Sequence, residues 1–308
     1  MTSPELYVGI DGGGSRAAAV ATDAAGNVLS RVEGAAGLVR ADAPLAGVDA
    51  IAGLAKRAAR NAAPEATIRS LCCGLAGVGR PRERDAVRSA LAGSGVAGRV
   101  DIVTDVDAAM QDAFGYGAGL LLVAGTGSMA FGRTSDGRTA RAGGWGALLG
   151  DEGGGWTLAL NGMKAVLRHH DGRGPHTVLV KLLVEAAHCE TPDELVSFTA
   201  LSTKGDVAAL APVIIAAADA GDVVASGIVD EATAAHSSLM AAVVRRLDPW
   251  PEPPPIALTG GLIAPGRALR EHTLRAVRSA LQTFEVLERP IDAAAGAAAI
   301  ARDHASRV

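Results

Sequence analysis

Apolar and polar positions change in blocks along the chain, and these blocks predict an ordered succession of strands and helices. The first stretches of strand character lie close together and predict a three-stranded meander at 6–10, 17–22 and 27–33. Strands and helices then alternate, with helices predicted at 44–62, 81–92 and 106–116 and strands at 68–75 and 99–103. This alternation of the two element types predicts an α/β fold.

The second half of the chain opens with another strand-rich stretch at 119 and then becomes mostly helical. After a glycine-rich segment at 143–155, apolar residues recur three to four positions apart, which is the spacing of a buried helix face. The proline-rich stretch 249–255 ends this pattern, because proline fits neither a helix interior nor a central strand. The predicted helices are 156–169, 176–188, 192–200, 206–220 and 222–247, followed by a strand at 256–259, a helix at 266–281, a strand at 284–287 and a closing helix at 293–305.

A glycine-rich turn with the same internal spacing occurs in both halves of the chain. Gly12-Gly13-Gly14-Ser15 follows the first strand, and Gly125-Thr126-Gly127-Ser128 follows the apolar stretch 120–124. In each copy an aspartate, Asp23 or Asp136, stands eight positions after the serine. Glycine permits positive φ and lets backbone N–H groups approach an anion. Two facing hairpins of this kind, one in each of two domains, predict a clamp for the phosphates of a nucleotide.

Composition and charge narrow the class of protein without selecting a chemistry. A chain of 308 residues with 49% hydrophobic residues buries a sizeable core and fits two domains better than one. A net charge of −4 gives no electrostatic argument for a nucleic-acid partner. No apolar stretch approaches 18 residues, and the N-terminus lacks the succession of regions that marks a signal peptide. We therefore expect a cytoplasmic protein without a membrane partner.

Cysteine and histidine patterns argue against a zinc site and against disulfides. Cys72, Cys73 and Cys189 form no C-x-x-C pair and no disulfide framework. His188 and His236 are isolated in the sequence, so structural or surface roles are expected for them. Neither a P-loop nor a dinucleotide-binding G-x-G-x-x-G motif is present, so the glycine turns predict a different kind of nucleotide-binding fold.

Five short segments, spread over nearly the whole chain, together form a recognisable set of motifs. They read VGIDGGGS at 8–15, VTD at 103–105, AGTGS at 124–128, GGWGALLGDEG at 143–153 and LTGG at 258–261. In content and order the set resembles the N-acetylglucosamine kinase and BadF/BadG/BcrA/BcrD group of the actin-like, hexokinase-like ATPases. The segment 143–153 is the most specific of the five.

The resemblance implies an α/β fold of two ribonuclease-H-like domains with a nucleotide cleft between them. The first domain is expected to cover 1–116, with the closing helix, 292–308, packing back on it. The second domain is expected to cover 117–291 and to carry a helical insertion. The implied activity is transfer of the γ-phosphate of ATP, with Mg²⁺, to an amino sugar, and above all to N-acetylglucosamine as its 6-phosphate. Relatives also suggest a homodimer.

The resemblance also assigns the nucleotide and metal ligands. Asp11 would hold Mg²⁺ through water, because this ion gives up its hydration shell reluctantly. Ser15 stands where the family often has threonine and keeps the hydroxyl group. Glycines at the adenosine loop let the backbone lie against the purine and ribose. The residues expected to bind the nucleotide are Gly12, Gly13, Gly14, Ser15, Gly125, Thr126, Gly127, Gly260 and Gly261.

Asp105 matches the catalytic carboxylate of the family and is the expected general base. On sequence grounds alone, a helix cap is the simpler interpretation, because an aspartate before a helix is a favoured N-cap. The position of Asp105 in Val-Thr-Asp, directly after a strand, favours the general base. Asp107 is a competitor, although helical geometry turns it well away from Asp105.

The sugar pocket is expected to form around the segment 143–153. A tryptophan is usually a core anchor, but Trp145 matches a wall of the family's sugar pocket, and Asp151 matches a carboxylate that accepts hydrogen bonds from sugar hydroxyls. Met129 replaces a polar residue found in relatives. Gly37 stands where relatives carry an asparagine near the acetamido group, so recognition of that group is the open part of the prediction. The residues expected to line the pocket are Asp105, Ser128, Gly144, Trp145, Gly146, Asp151, Gly77 and Gly37.

Three functions therefore stay open at this point. The first is an amino-sugar kinase, with glucosamine, glucose or another hexose as alternative acceptors. The second is an ATPase activator of the kind that binds a [4Fe-4S] cluster between two subunits through cysteines. Cys72 and Cys73 lie early in the chain for that role, and Cys189 lacks a companion. The third is a nucleotide-dependent sensor that binds sugar without turnover.

Overall fold

The structure is a computed structural model that describes residues 4–13, 16–34, 45–250, 254–281 and 283–306. They form two compact units, one comprising Met1–Tyr116 together with Ile291–Val308 and the other comprising Gly117–Pro290. The chain therefore leaves the first unit after its third helix, builds the second unit and returns to the first for its last helix.

Helices and strands follow one another as the blocks of the sequence predict. The strands are β1 Glu5–Gly12, β2 Ala17–Thr22, β3 Val28–Gly34, β4 Thr67–Leu75, β5 Arg99–Thr104, β6 Gly119–Ala124, β7 Ser128–Arg133, β8 Thr139–Gly143 and β9 Ile256–Thr259. The helices are α1 Val48–Ala62, α2 Pro81–Gly93, α3 Asp105–Phe114, α4 Gly155–His170, α5 Leu179–Ala186, α6 Glu194–Leu201, α7 Lys204–Ala208, α8 Ala211–Asp219, α9 Val223–Leu247, α10 Arg270–Ala280 and α11 Ala293–Ala305. The α/β prediction is confirmed.

The first unit is built on a five-stranded mixed sheet with the strand order β3-β2-β1-β4-β5. β1 pairs antiparallel with β2 and parallel with β4, and β5 continues the parallel side. β1 and β4 are buried on both faces, which is why they appear in the sequence as nearly continuous apolar runs.

Helix α11 covers β1 at very short range because small residues line the contact. An ideal Cβ at Gly9 of β1 would lie 2.1 Å from the Ala294 oxygen and from the Ala298 nitrogen of the helix backbone. At Gly296 of α11, a Cβ would lie 2.0 Å from the Ala108 oxygen of α3. Glycine has no Cβ and so permits these backbone contacts. The buried apolar residues of this layer are Tyr7, Cys72, Ala108, Ala297, Ile300 and Ala301.

The second unit repeats the strand connectivity with the order β8-β7-β6-β9. β6 pairs antiparallel with β7 and parallel with β9, as β1 does with β2 and β4. The strand predicted at 284–287 is wrong as an element, since Val286 forms only an isolated parallel bridge with Ile256. The segment follows α10 after a few residues and soon reaches Pro290, which leaves room for a bridge but not for a ladder.

Two helix predictions in the second unit also need correction. The predicted helix 206–220 is two helices, α7 and α8, which meet at Ala209 and Leu210. Pro212 lies in the first turn of α8, where N–H groups lack an intrahelical acceptor in any case. Helix α10 begins at Arg270 rather than at 266, because Gly266 has a φ of +78°, outside the helical region.

Helix α9 is the longest helix in the described part of the chain, and its buried side includes Ile228, His236 and Met240. Among the described residues, no single helix is long and apolar enough to cross a membrane. The segment Lys204–Asp219 and helix α9 meet that criterion only when taken as a pair, which is bent by 117°.

Candidate active site

In the first unit, the carboxyl ends of three parallel strands meet at one edge of the sheet. The register pairs Gly12 at the end of β1 with Leu75 at the end of β4, and Leu75 with Thr104 at the end of β5. The residues that follow these strands therefore share one edge, which is where open α/β sheets bind ligands. The fold brings Asp11, next to the end of β1, and Asp105, directly after β5, to this edge.

Asp11 lies in a negatively charged environment. Burial, reinforced by the charges of Asp105 and Asp292, raises the pKa of the Asp11 carboxyl to about 6, while Arg31 opposes the shift. A nearby positive charge would therefore stabilise the ionised form of Asp11. Carboxylates with such shifted pKa values are typical of functional sites.

Asp105 is the first residue of α3, but it does not cap the helix. The N-cap is Thr104, whose side chain accepts a hydrogen bond from the Asp107 N–H, and the Asp107 carboxylate in turn accepts from the N–H and the hydroxyl of Thr104. This reciprocal arrangement is a capping box. The capping interpretation of Asp105 is therefore wrong, and the side chain of Asp107 is occupied by Thr104.

The Asp105 carboxylate keeps most of its hydrogen-bonding capacity for a ligand. Its Oδ1 accepts one hydrogen bond, from the Val106 N–H at 3.0 Å. Burial raises the pKa of Asp105, the backbone hydrogen bonds oppose this shift, and the charge of Asp107 adds to it. The two carboxylates therefore have different partners: that of Asp107 is bound in the capping box, and that of Asp105 is not.

Asp292 is a site residue that sequence reasoning missed. It is the N-cap of α11, where its Oδ1 accepts from the Ala295 N–H, and its Oδ2 pairs with Arg31 at 2.5 Å. Through the close packing of α11 on β1 it also acts on the pKa of Asp11. An aspartate directly before an alanine-rich helix is a sequence signal for a cap, but its approach to Asp11 is visible only in the fold.

The loops around this edge are partly described. The Gly13 N–H donates to the Arg16 oxygen at 3.0 Å, and the Ala76 N–H donates to the Gly12 oxygen at 2.9 Å. This second bond ties the loop of Gly77, which is exposed and has a φ of +90°, to the end of β1. Three predicted site residues, Gly14, Ser15 and Gly37, lie outside the described residues.

In the second unit, the glycine turn after β6 lies beside the loop after β9. An ideal Cβ on Gly125 would lie 3.8 Å from the Gly261 nitrogen, and one on Gly260, whose φ is +106°, would lie 2.3 Å from the Ala124 oxygen. The Leu262 N–H also donates to the Ala124 oxygen at 3.1 Å. The structure therefore brings together the two loops predicted to bind phosphate and adenosine in this half of the chain.

The Asp151 carboxylate lies directly against Gly127. An ideal Cβ on Gly127 would lie 2.6 Å from the Asp151 Cγ and 2.7 Å from each of its carboxylate oxygens. Asp151 itself has a φ of +62°, a conformation that few residues other than glycine, asparagine and aspartate adopt. The predicted sugar ligand and the predicted phosphate loop are thus neighbours.

Several hydrogen bonds join the segment 143–155 to the glycine turn at 125–127. The Gly155 N–H donates to the Gly125 oxygen at 2.8 Å, and the Trp156 N–H donates to the Thr126 oxygen at 3.0 Å. The Ser128 hydroxyl donates to the Glu152 oxygen at 2.5 Å. Ser128 is buried, so its hydroxyl proton serves the loop and only its acceptor capacity remains for a ligand.

Trp145 is exposed and is not a core anchor. Its relative exposure is 66%, and Arg141 stacks over its ring with the guanidinium carbon 4.6 Å from the ring centroid. On either side of it, Gly144 and Gly146 have φ values of +69° and +86°. An ideal Cβ on Gly144 would lie 3.3 Å from the Met129 Cβ, so Met129 packs against the backbone beside Trp145.

His236 is a second residue whose place the sequence did not predict. It lies in α9, fully buried, with Nε2 at 3.0 Å from the Gly153 oxygen and Nδ1 at 3.0 Å from the Thr273 hydroxyl of α10. Burial lowers its pKa to about 4, so the ring is neutral at physiological pH. An isolated polar residue on the apolar face of a helix was the available signal.

Comparison with known proteins agrees with this geometry. Each unit has a central strand flanked by an antiparallel meander on one side and a parallel strand on the other, with a glycine turn after that central strand. This duplicated arrangement defines the class of actin-like ATPase folds. Within this class, the chain belongs to the BadF/BadG/BcrA/BcrD ATPase family, whose model matches residues 8–301. Family membership implies ATP as a ligand.

Two kinases are similar in sequence to this chain over most of its length. The N-acetyl-D-glucosamine kinase of Dictyostelium discoideum is 28% identical over 97% of this chain and 98% of its own length. The N-acetylmuramic acid/N-acetylglucosamine kinase of Clostridium acetobutylicum is 28% identical over 76% of this chain and 77% of its own.

Solved structures show the same fold. A provisionally assigned N-acetylglucosamine kinase of Chromobacterium violaceum is 26% identical with a TM-score of 0.78, covering 97% of this chain and 99% of that one. A ROK family glucokinase of Streptomyces griseus, in complex with glucose and AMPPNP, has a TM-score of 0.65 at 18% identity, covering 97% of this chain and 99% of that one, and supports the fold alone. The predicted family and the predicted pair of ribonuclease-H-like domains are confirmed.

Proposed function

We propose that this protein is an ATP-dependent sugar kinase that phosphorylates an amino sugar, N-acetylglucosamine, at its 6-hydroxyl group. The observation that carries the proposal is the Asp105 carboxylate. This carboxylate lies at the edge of the first sheet where the parallel strands end. Thr104 and Asp107 cap the helix, so Asp105 is not its N-cap. Burial raises the pKa of Asp105. The names of the two kinase relatives support the sugar class.

Asp105 would act as the general base of the transfer. The 6-hydroxyl group of the sugar donates a hydrogen bond to the carboxylate. As the sugar oxygen bonds to the γ-phosphorus, the bond from phosphorus to the bridging oxygen of ADP breaks and the hydroxyl proton moves to Asp105. A carboxylate of raised pKa holds that proton better than an exposed one.

Asp11 would hold Mg²⁺ by way of coordinated water. The site fits a hard dication, since carboxylate oxygens are preferred ligands and Asp11, Asp105 and Asp292 share one negative environment. The ion, when bound, neutralises charge on the phosphates. Among the described residues, no cluster of three or more His, Cys, Asp or Glu side chains is arranged to hold a metal directly.

Backbone groups would position the nucleotide. Phosphoryl transfer depends chiefly on positioning and on charge neutralisation, which N–H-rich turns supply. The turn at 12–15 and the turn at 125–127 are assigned to the β- and γ-phosphates. Gly260 and Gly261, next to the second turn, are assigned to adenosine. An ideal Cβ on Gly261 would have no atom within 4 Å, so the backbone there is open to a flat ligand, while Gly260 packs against Ala124.

The sugar would lie against Asp151 and Trp145. A carboxylate accepts hydrogen bonds from two sugar hydroxyls, and an exposed indole offers an apolar wall to the sugar ring. Gly144, Gly146 and Gly77 would contribute backbone groups, and Ser128 an acceptor. The acetamido group would be read by backbone N–H groups near Gly77, while the contribution of Gly37 stays a prediction.

Asp151→Asn is expected to raise KM for every sugar that the enzyme uses by roughly ten-fold to a hundred-fold, since a hydrogen bond to a charged group contributes about 1.5–3 kcal/mol. Asparagine tolerates the positive φ of position 151, so the backbone stays in place. Initial rates at varied sugar and saturating ATP measure the effect. Asp230→Asn, an exposed position on α9, is the matched control with unchanged KM. An unchanged sugar KM in Asp151→Asn would remove Asp151 from the pocket.

Asp11→Asn is expected to stabilise the metal-free protein near pH 7.5 while abolishing turnover with Mg²⁺ and ATP. Because the folded-state pKa of about 6 exceeds the ordinary value of 3.8, the folded protein binds this proton more tightly than the unfolded chain does. Stability therefore falls as pH rises from 3.8 to about 6, by an amount on the order of 2–3 kcal/mol, and stays lower above pH 6. The asparagine variant escapes this loss. Urea unfolding in EDTA at pH 7.5 and at pH 4 measures it, with the gain confined to pH 7.5.

Asp23→Asn is the matched control for that measurement. Asp23 lies in the exposed turn between β2 and β3, where hydrogen bonds from the side chain and backbone of Asn27 lower its pKa. Its carboxylate therefore stabilises the fold at neutral pH, and the substitution should give no gain. A gain of equal size in both variants would show that a general change in net charge, rather than the site, is responsible.

The ATPase-activator alternative lacks a ligand set for its cluster. Cys72 and Cys73 are fully buried in β4, and burial raises the pKa of both thiols, which disfavours the thiolate form that binds iron. Cys189 stands alone beyond α5. Iron analysis of anaerobically purified protein is expected to find no cluster.

A screen of ADP release with N-acetylglucosamine, glucosamine, N-acetylmuramic acid and glucose tests the proposed function. We expect the highest kcat/KM with N-acetylglucosamine and slow ATP hydrolysis in the absence of sugar. A preference for glucosamine or glucose would replace the substrate and keep the reaction. Hydrolysis that no sugar accelerates would refute the kinase proposal. The homodimer and the cytoplasmic location stay predictions, and light scattering of the purified protein measures the first.

A further inference from the structure

A hydrogen-bonded pair, His236 and Thr273, lies directly behind the loop that carries Asp151. His236 is in the middle of α9 and Thr273 is in α10, and both side chains are fully buried. The imidazole ring reaches the Gly153 oxygen with Nε2 and the Thr273 hydroxyl with Nδ1, each at 3.0 Å. These contacts join two helices of the second unit to the loop 151–155.

The chemistry of the two partners fixes which ring nitrogen carries the proton. A backbone carbonyl oxygen only accepts, so Nε2 must bear the hydrogen and donate to Gly153. In the neutral ring Nδ1 then accepts, and the Thr273 hydroxyl is its donor. Both nitrogens are satisfied without a second proton, which agrees with the lowered pKa of this histidine.

The ring contacts the loop where the backbone leaves no room for a side chain. Gly153 has a φ of +83°, and an ideal Cβ there would lie 2.6 Å from the His236 Nε2. Two residues earlier is Asp151, whose backbone carbonyl oxygen accepts a hydrogen bond from the Gly154 N–H at 2.9 Å. Because this hydrogen bond closes the turn 151–154, a displacement of Gly153 would also displace Asp151.

We propose that His236, oriented by Thr273, is a positioning residue that holds the loop 151–155 so that the Asp151 carboxylate lies against Gly127. Ser128 and Gly125 fix the same loop from the side of the sheet. His236 fixes it from the side of the helices. The consequence for catalysis rests on the proposed function, in which Asp151 binds the sugar.

Two substitutions separate the contact with the loop from the contact with Thr273. The amide of glutamine reaches about as far as Nε2, so His236→Gln keeps the bond to Gly153. The shorter amide of asparagine ends near the position of Nδ1, so His236→Asn keeps Thr273 and loses Gly153. Leaving a buried carbonyl without its donor corresponds to a change of roughly ten-fold. We therefore expect KM for N-acetylglucosamine to rise about that much in His236→Asn and less than about three-fold in His236→Gln, with KM for ATP unchanged in both.

A general structural role would give a different pattern. It would lower the melting temperature in both variants and change the two KM values alike. If His236→Asn is folded and its sugar KM equals that of the wild type, or if sugar and ATP are affected equally, the positioning role is refuted. Thr273→Val, which removes the donor to Nδ1, is expected to raise the sugar KM in the same direction by a smaller factor.

Two measurements on the whole protein do not depend on any sugar. Nitrogen-15 NMR of the histidine rings is expected to show one neutral ring with the proton on Nε2 that is lost in His236→Gln, and a proton on Nδ1 would overturn the assignment. Amide exchange at Gly154 is expected to be at least about ten-fold faster in His236→Asn than in His236→Gln. Equal exchange in the two variants would overturn the positioning role. If both results are as expected while no sugar is phosphorylated, the proposed function fails and the positioning of the loop stands.

Discussion

Asp105→Asn is expected to lower kcat by about 10²- to 10⁴-fold, the usual contribution of a general base, while KM for ATP and the fold stay as in the wild type. The amide has nearly the shape of the carboxylate but does not take up the hydroxyl proton. Because burial raises the pKa of Asp105, removal of its charge should also stabilise the folded protein slightly. Steady-state rates with N-acetylglucosamine and thermal unfolding of the same preparation measure both effects.

Asp107→Asn is the matched control, two residues away on the same helix. Its carboxylate belongs to the capping box with Thr104, so its replacement should cost about 1 kcal/mol of stability and leave kcat within a few-fold of the wild type. The two variants are thus expected to show opposite profiles, one catalytic and one structural. If the two profiles were exchanged, Asp107 would be the general base, and its hydrogen bonds to Thr104 would contribute little to stability.

Gly9→Ala is expected to destabilise the first unit by about 3 kcal/mol or more, which is at the upper end of overpacking effects. The added methyl group would lie 2.1 Å from two backbone atoms of α11. Backbone atoms of a helix cannot avoid the clash by rotating, as the end of a side chain could. The helix must therefore move away from β1, and Asp292 at its first turn moves with it. Urea unfolding measures the loss, and the pKa of Asp11 should fall as the charge of Asp292 recedes.

Gly53→Ala provides the comparison within the same unit. Gly53 is exposed on α1 with no atom near its missing Cβ, so alanine should stabilise the helix by about 1 kcal/mol. A Gly9→Ala protein as stable as the wild type would mean that α11 does not pack on β1 as described.

Local sequence patterns predict those parts of the fold that local forces determine. β1 and β4 are apolar throughout because they are buried on both faces. The error at 284–287 arises because pairing with another strand decides whether an apolar segment becomes a strand, and here only Val286 forms a bridge, with Ile256 of β9. No local pattern contains that information.

The candidate site divides in the same way. The family resemblance places Asp11 and Asp105 in one site, and the parallel order of β1, β4 and β5 brings the end of β1, which contains Asp11, to the same edge as Asp105. The capping role of Thr104 and the approach of Asp292 to Asp11 depend on side-chain geometry and on helix packing. His236 contacts Gly153 across 83 positions of sequence, a contact that neither the composition nor the spacing of the chain indicates.

The first unit is discontinuous in sequence, and this has a consequence for its synthesis. Its sheet is complete after Thr104, but the layer beside Tyr7 and Cys72 is closed by α11, from the last part of the chain. The second unit is continuous, so it has all its residues before α11 leaves the ribosome. Because domains tend to fold as they emerge, the nascent chain would expose the uncovered face of β1 and β4 throughout translation of the second unit. That uncovered face would be available to chaperones that bind apolar strands, and the first unit would be completed only once α11 has left the ribosome.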